Sequence, residues 1–229
     1  MASDPRQPTV ADATFAPFRL TLRVSASLVL LWLVSISAQI AYIHLHKLDG
    51  VAHIERQISY YTDTADSTGL ANRMATVTYE WAFERLRLHV ILGPAAQGTP
   101  KDTAVTPYLK RSLWVAYKPE LLISAYASVL YAAKIGVFVT IMPLLLIWLL
   151  AFGVDGLVQR SIRKACGGHE SAALYHRAKL YGVRLLPPFA AVIFLCSPIA
   201  ISPGWVFVPV ALVSALLLRL QAAYYKKYL

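Results

Sequence analysis

Histidine and carboxylate side chains are the groups in this sequence that could bind a metal ion or transfer a proton. His169-Glu170 and His176 lie in one short segment. A zinc-protease helix needs two histidines four positions apart with a glutamate base between them, whereas these two are seven apart. The sequence also has no nucleophile elbow, P-loop or dinucleotide-binding fingerprint. It therefore predicts no catalytic residue, no metal site and no cofactor, and we expect a protein that is not an enzyme.

The other four histidines predict no shared site either. His44 and His46 are two positions apart and so point to different faces of a helix, and His53 and His89 stand alone. We expect all four to be surface or interface residues.

Ionisable residues are nearly absent from the four long apolar segments. None of these segments contains Asp or Glu, and we place Lys134 and Arg219 near span ends, where long basic side chains reach the membrane interface. Ion-coupled carriers and proton channels need buried ionisable groups, so the pattern disfavours a transporter. Asp155 follows the second span, and we expect it to form a structural ion pair with Arg184 or Arg219.

The composition is typical of a membrane protein. Of 229 residues, 57% are hydrophobic and 15% charged, with a mean hydropathy of +0.53. The formal charge is +10, but basic residues collect beside membrane spans for topological reasons, so we do not expect direct nucleic-acid binding. Cys166 falls in a predicted loop and Cys196 in a predicted span, so we expect no disulfide between them.

The apolar segments predict an all-α membrane protein with four transmembrane helices and a helical periplasmic domain between the first two. A span needs about 20 apolar residues. The predicted spans cover residues 24–43, 135–154, 185–202 and 205–220. The first has a long leader and a long apolar run, so we expect an uncleaved signal anchor. Only Pro203-Gly204 separates the last two, which predicts a tight helical hairpin.

The distribution of basic residues predicts the orientation. The segment 155–184 carries six Lys and Arg against two acidic residues, and short segments with a basic excess stay in the cytoplasm. The N-terminal tail (1–23), the loop 155–184 and the C-terminal end (221–229) are then cytoplasmic, and residues 44–134 are periplasmic. We therefore expect a multi-pass protein of the bacterial inner membrane with both termini in the cytoplasm.

Helical periodicity extends through the predicted outer domain. Val51, Ile54, Ile58 and Tyr61 share one helix face, and the polar segment 63–69 supplies N-cap residues for the next helix. That helix should run from about Leu70 to Leu92. Its buried seam should be formed by Met74, Val77, Trp81, Leu88 and Ile91, with Tyr79, Phe83, Leu86 and Val90 beside it. We expect a loop over 93–107 and a third helix from near Tyr108.

Small residues recur at every fourth position after Pro119. Ser124, Ser128, Ala132 and Gly136 form a stripe that would let helix backbones approach closely. The stripe predicts a packing seam with the first span or with a second copy of the chain, in a homo-oligomer. The alternative is an ordinary alanine-rich helix.

The loop 155–184 combines basic and apolar residues at helical spacing. Arg160, Arg163 and Lys164 alternate with Leu157, Val158 and Ile162. Such a helix can lie on the anionic headgroups of the lipid bilayer. It could also dock a cytoplasmic partner, in which case Glu170 and His176 on the following helix would flank the same face.

Three motifs in this loop resemble a known family. Val-Asp-Gly-Leu-Val-Gln-Arg at 154–160, Gly-Gly-His-Glu-Ser at 167–171 and Tyr-His-Arg-Ala-Lys at 175–179 resemble an uncharacterised family of integrating conjugative element membrane proteins. The resemblance covers about residues 119–229. Members of that family are typically encoded beside the conjugative coupling ATPase and type IV secretion genes. The resemblance therefore implies an accessory role in DNA transfer, with those proteins as partners, and assigns no catalytic residues.

Three functions remain open at this point. The leading hypothesis is a non-enzymatic inner-membrane accessory component of a conjugative type IV secretion or coupling apparatus. The second is a sensor or exclusion-type protein whose periplasmic domain binds a ligand or a protein of another cell. The third is a small channel or carrier. Partner identity and oligomeric state stay open.

Overall fold

The computed structural model describes residues 10–85, 106–166 and 172–224, and these form seven α-helices without a strand. The helices are α1 (Val10–His46), α2 (Gly50–Ser59), α3 (Leu70–Tyr79), α4 (Thr106–Ala165), α5 (Ala172–Lys179), α6 (Leu186–Cys196) and α7 (Pro203–Ala223). Three π-helical segments join or extend them: Tyr60–Thr64, Glu80–Arg85 and Leu180–Leu185. The predicted all-helical fold is confirmed for this part of the chain.

Four helical stretches in the described residues are long and apolar enough to cross a membrane. They are Thr21–His46, Lys118–Ala165, Tyr175–Cys196 and Pro203–Ala223. Each contains, or largely overlaps, one of the four predicted spans. The number and order of membrane-compatible helices therefore agree with the sequence prediction, by length and composition, while the orientation stays a prediction.

The connection between the last two spans differs from the predicted Pro-Gly turn. Helix α6 ends at Cys196, six residues before the expected end of the third span, and α7 begins at Pro203. Proline disfavours the helical conformation in the residue before it, and Ser197, which precedes Pro198, has left the helical region with φ −59° and ψ 128°. The connection is thus residues 197–202, and Pro203-Gly204 forms the first turn of α7.

Helix α4 is the element on which the other helices pack. Its N-terminal half contacts α2, α3 and the π-helical segments that follow them, which we call the outer helices after their predicted location, as the ring contact between Tyr126 and Phe83 shows. Further along, Phe138 contacts Phe207 of α7, and Asp155 pairs with Arg219 near the other end of α7. A helix of 60 residues is about 90 Å long. It therefore runs without a break from the outer helices into the four-helix bundle that it forms with α1, α6 and α7.

The predicted seam of the second outer helix is wrong in its orientation. Val77 and Trp81 are 64% and 54% exposed, whereas Ala71 and Ala75 are buried against α4. Leu86, Leu88, Val90 and Ile91 lie outside the described residues. The periodicity of large side chains identified a real helix face, but small residues allow the closest packing of helix backbones. The alanine face therefore meets α4 and Val77 and Trp81 point outward, while Phe83, predicted beside the seam, is buried against Tyr126.

The α2 face and the turn before α3 match their predictions. Ile54 and Tyr61 are fully buried, and Val51 and Ile58 are partly buried. In the polar segment 63–69, the Asp66 carboxylate accepts hydrogen bonds from the backbone N–H groups of Ala71 (2.6 Å) and Asn72 (3.3 Å). It satisfies amides that the first turn of a helix leaves without partners.

Candidate functional site

The connection between α6 and α7 places several backbone carbonyl groups where no helix continues to bond them. In a low-dielectric environment such groups need other partners. The carbonyls of Leu195, Ser197, Pro198 and Ile201 each accept a hydrogen bond from a side chain of another element. We call the residues that meet here the junction cluster: Ser35, Gln39, His53, Gln57, Tyr61, Lys134 and Ser197.

Helix α1 contributes two buried polar side chains on one face. Ser35 Oγ donates to the Leu195 carbonyl at 2.9 Å, and Gln39 Nε2 donates to the Ser197 carbonyl at 3.2 Å. Residues four positions apart lie above one another on a helix, so one stripe of α1 bonds the carbonyls of Leu195 and Ser197. These bonds fix the position of the first span against the end of the third.

Lys134 of α4 reaches the same carbonyl and corrects the expectation that its side chain extends to the membrane interface. The residue is 0% exposed, and its Nζ donates to the Ser197 carbonyl at 2.6 Å. Because α4 continues beyond the predicted span and is covered by the outer helices, residue 134 lies inside the protein. A basic group at the C-terminal end of a helix is favourable, and Lys134 occupies that position for α6.

Helix α2 approaches the connection from the outer side. Gln57 Nε2 donates to the Pro198 carbonyl at 2.8 Å and lies 2.8 Å from His53 Nε2. His53 Nε2 also lies 3.2 Å from the Pro198 carbonyl, so the imidazole and the Gln57 amide meet at the same acceptor. The Gln57 Oε1 atom is buried without a hydrogen-bond partner in the described structure. His53 is thus an interface residue, as expected.

Tyr61, in the π-helical segment Tyr60–Thr64, completes the cluster. Its hydroxyl donates to the Ile201 carbonyl (3.2 Å) and accepts from the Ile201 N–H (3.0 Å). Burial raises the pKa of Tyr61 to about 12, and the bond to the Ile201 backbone offsets part of this effect. The Lys134 Nζ lies 5.5 Å from the centroid of the Tyr61 ring.

The junction cluster therefore ties α1, α2 and α4 to one short connection. Its polar groups are engaged with backbone carbonyls, which is an arrangement that holds elements together. None of these residues was predicted from the sequence to belong to a site. The available signal was Lys134, the only charged residue between Leu121 and Val154, since an ionisable residue in an apolar segment marks a functional site by default.

The predicted docking residues lie at the C-terminal end of α4, whereas Lys134 is near the middle of that helix. We call Arg160, Arg163 and Lys164 the basic end. Lys164 is exposed and the two arginines are partly buried. The Arg163 guanidinium lies 3.9 Å from the centroid of the ring of Tyr224, the C-cap of α7, so this partly buried charge is stacked on an aromatic ring of the same chain.

The flanking residues predicted for this docking face are placed only in part. His176 is exposed, and its ring meets that of Tyr175 edge-on at 5.3 Å. Glu170 lies outside the described residues. The structure therefore shows the basic end as a surface on α4, and the place of Glu170 beside it stays a prediction.

The predicted ion pair and the small-residue stripe both lie at helix contacts. Arg219 Nε pairs with Asp155 Oδ2, while Arg184 is exposed. In the stripe, Ser128 Oγ accepts from Trp32 Nε1 of α1 at 3.1 Å, and a Cβ on Gly136 would lie 2.8 Å from the backbone nitrogen of Ala71 in α3. The other two members are Ala132, which is buried, and Ser124, whose hydroxyl bonds the Leu121 carbonyl. The stripe is thus shared between two neighbouring helices of the same chain.

The family of IncC plasmid conjugative DNA transfer proteins described as DtrJ-like matches residues 50–226. The chain belongs to the DtrJ-like family. The match runs from α2 to beyond α7, so it includes the outer helices, the basic end and most of the junction cluster. No curated protein and no solved structure matches the chain. The link with conjugation that the motifs implied is confirmed, through a plasmid transfer family.

Proposed function

We propose that this protein is a non-enzymatic inner-membrane accessory component of a conjugative DNA-transfer apparatus of the type IV secretion or coupling kind. The observation that carries the proposal is the DtrJ-like match over residues 50–226. Because the match includes both the outer helices and the four-helix bundle, the proposed role belongs to the whole assembly of helices.

The geometry supports a scaffolding role. Helix α4 runs from the outer helices through the bundle to the basic end, and the junction cluster ties the outer helices to the same unit. The polar groups of that cluster are hydrogen-bonded to backbone carbonyls. A protein built in this way can present two surfaces at a fixed separation, one on each side of the inner membrane.

The proposed orientation places the basic end in the cytoplasm and α2 and α3 in the periplasm. Alkaline phosphatase is active only outside the cytoplasm, so we expect activity from a fusion after Gly93. Fusions after Gly168 and after Leu229 should be inactive. Activity of the Gly168 fusion would reverse the orientation and remove the basis for a cytoplasmic docking surface.

A mating assay tests the proposed function directly. Donor cells that lack the protein should transfer DNA less often, and the wild-type chain should restore transfer. The Arg160→Lys, Arg163→Lys double variant keeps the charge but loses the planar fork that bonds a carboxylate through two N–H groups. We expect it to be made and inserted normally and to restore transfer poorly, and glutamate at both positions should lower transfer further.

Two controls separate docking from internal packing. Tyr224→Leu removes the ring under Arg163 and leaves both arginines in place, so a loss equal to that of the double variant would assign the effect to packing. The protein purified in detergent should retain the coupling ATPase or other secretion proteins, and the double variant should retain less. Wild-type transfer by the double variant would eliminate the docking surface.

A further inference from the structure

A cleft of about 360 Å³ opens between α2, α3 and α4 in the outer part of the molecule. Ligand pockets in proteins measure roughly 300–1,000 Å³, so the cleft has room for a small organic group. Ala75 and Val129 contribute apolar surface to its lining, and polar side chains come from α2, from the segment that follows it and from α3.

The hydroxyl groups that line the cleft use their protons within their own helices. Ser59 Oγ donates to the Arg56 carbonyl at 3.0 Å, and Thr76 Oγ1 donates to the Asn72 carbonyl at 2.9 Å. Thr62 Oγ1 lies 3.0 Å from Asp63 Oδ1 and 3.3 Å from the Ser59 carbonyl, so its one proton is also used by a neighbouring acceptor. A hydroxyl has one proton and two lone pairs, so these three groups offer the cleft hydrogen-bond acceptors.

One carboxylate and two phenol rings also line the cleft. Glu55 of α2 lies beside the Tyr126 hydroxyl, and Tyr79 lines the cleft from α3. None of the ten described lining residues is Lys, Arg or His. Carboxylates and aromatic faces both attract cations. The lining is therefore complementary to a positively charged group that donates several hydrogen bonds.

We propose that this cleft binds an ammonium or guanidinium group, carried either by a small organic amine or by a lysine or arginine side chain of another protein. The inference rests on the lining alone and stands independently of the proposed role in DNA transfer.

Calorimetric titration of the full-length protein in detergent tests the proposal. The probe is n-butylammonium chloride, with sodium butyrate and butanol as anionic and neutral probes of similar size. We expect saturable binding of the cation alone. Glu55→Gln, which keeps the shape and removes the charge, should weaken it about ten-fold. The matched control is Glu84→Gln, an exposed position that does not line the cleft, and it should bind like the wild type.

Further measurements test whether the variants fold normally and which kind of molecule supplies the bound ammonium group. Thermal unfolding of Glu55→Gln should match the wild type, and Thr76→Val, which removes one acceptor, should also weaken binding. If N-acetyl-lysine methylamide binds about ten-fold tighter than butylammonium, the natural group is a protein side chain, and equal affinity indicates a free amine. Equal binding of all three probes, unchanged affinity in Glu55→Gln, or no saturable binding would overturn the proposal.

Discussion

The junction cluster and the basic end place the same kinds of side chain in opposite environments. Lys134 is fully buried and bonded to a helix-terminal carbonyl, whereas Lys164 is exposed on the last turns of α4. A buried polar group that loses its partner is costly, while an exposed charge contributes little to stability. The comparison teaches that the junction determines how the helices fit together, whereas Lys164 of the basic end carries its charge on the protein surface.

Replacing each of the two lysines should give the largest difference in the free energy of unfolding. Lys134→Glu buries a carboxylate against the Ser197 carbonyl, and we expect the free energy of unfolding to fall by about 3–5 kcal/mol. Lys134→Met removes the buried ammonium group but leaves the Ser197 carbonyl bonded to Gln39, and it should cost only about 0.5–1.5 kcal/mol. Lys164→Glu and Lys164→Met should stay within about 0.5 kcal/mol of the wild type. Chemical unfolding in detergent measures the stability of all four variants. If Lys134→Glu unfolds at the same denaturant concentration as the wild type, the junction cluster is no more important for stability than the basic end.

Glycine replacements sharpen the comparison through packing. Gly136→Ala places a methyl group against the Ala71 backbone, where helix α3 must move away from α4, and we expect a loss of about 1–3 kcal/mol. Gly153→Ala is the matched control in the same helix, because its nearest neighbour, Leu218 Cδ2, would be at 3.7 Å. It should be neutral or slightly stabilising. Equal effects at both positions would show that α3 does not approach α4 closely.

The pH dependence of stability should differ between the outer helices and the basic end. Desolvation, the largest contribution, raises the pKa of Asp66, but hydrogen bonds from Thr68, Asn72 and Ala71 together lower it below its usual 3.8. A lowered carboxyl pKa gives stability that is present above the usual value and is lost as the pH falls through the folded value. The protection of the α3 amides against hydrogen exchange, relative to the intrinsic exchange rate at each pH, should therefore fall below about pH 4.

The variant Asp66→Asn tests the origin of this pH dependence. It should lower stability at neutral pH by about 1 kcal/mol and remove the acid sensitivity of α3. Asp63→Asn, whose carboxylate accepts a bond from Thr62 only among the described contacts, should keep that sensitivity. Persistence of the acid effect in Asp66→Asn would assign it to another group.

The smallest effect should come from the stacked arginine at the basic end. Arg163→Lys and Tyr224→Leu each weaken the contact between α4 and α7, and cation–π pairs contribute about 0.5–1 kcal/mol at exposed sites. We expect faster hydrogen exchange in the last turn of α7 and no change in α2 or α3. Exchange that also accelerates in α2 would show that the two regions are coupled.

Several elements could be predicted because their causes are local. The apolar runs required four membrane-compatible helices, and the spacing of Ile54 and Tyr61 required one buried face on α2. The seam through Val77 and Trp81 failed for a physical reason. Periodicity shows that a helix has two faces, but the face that packs depends on how closely the neighbouring backbone approaches. Here the alanine face packs on α4, because small side chains allow the closer approach.

The sequence by itself determined the helical class, the number of apolar helices, the basic character of residues 155–184 and the connection with conjugation. Only the tertiary structure decided that Lys134 is buried, that Ser197 and Pro198 receive hydrogen bonds from three different helices, and that Arg163 stacks on Tyr224. These contacts join residues up to 158 positions apart in the chain. Local pattern specifies what each helix is, whereas the partners of its polar groups depend on which helix ends come together in space.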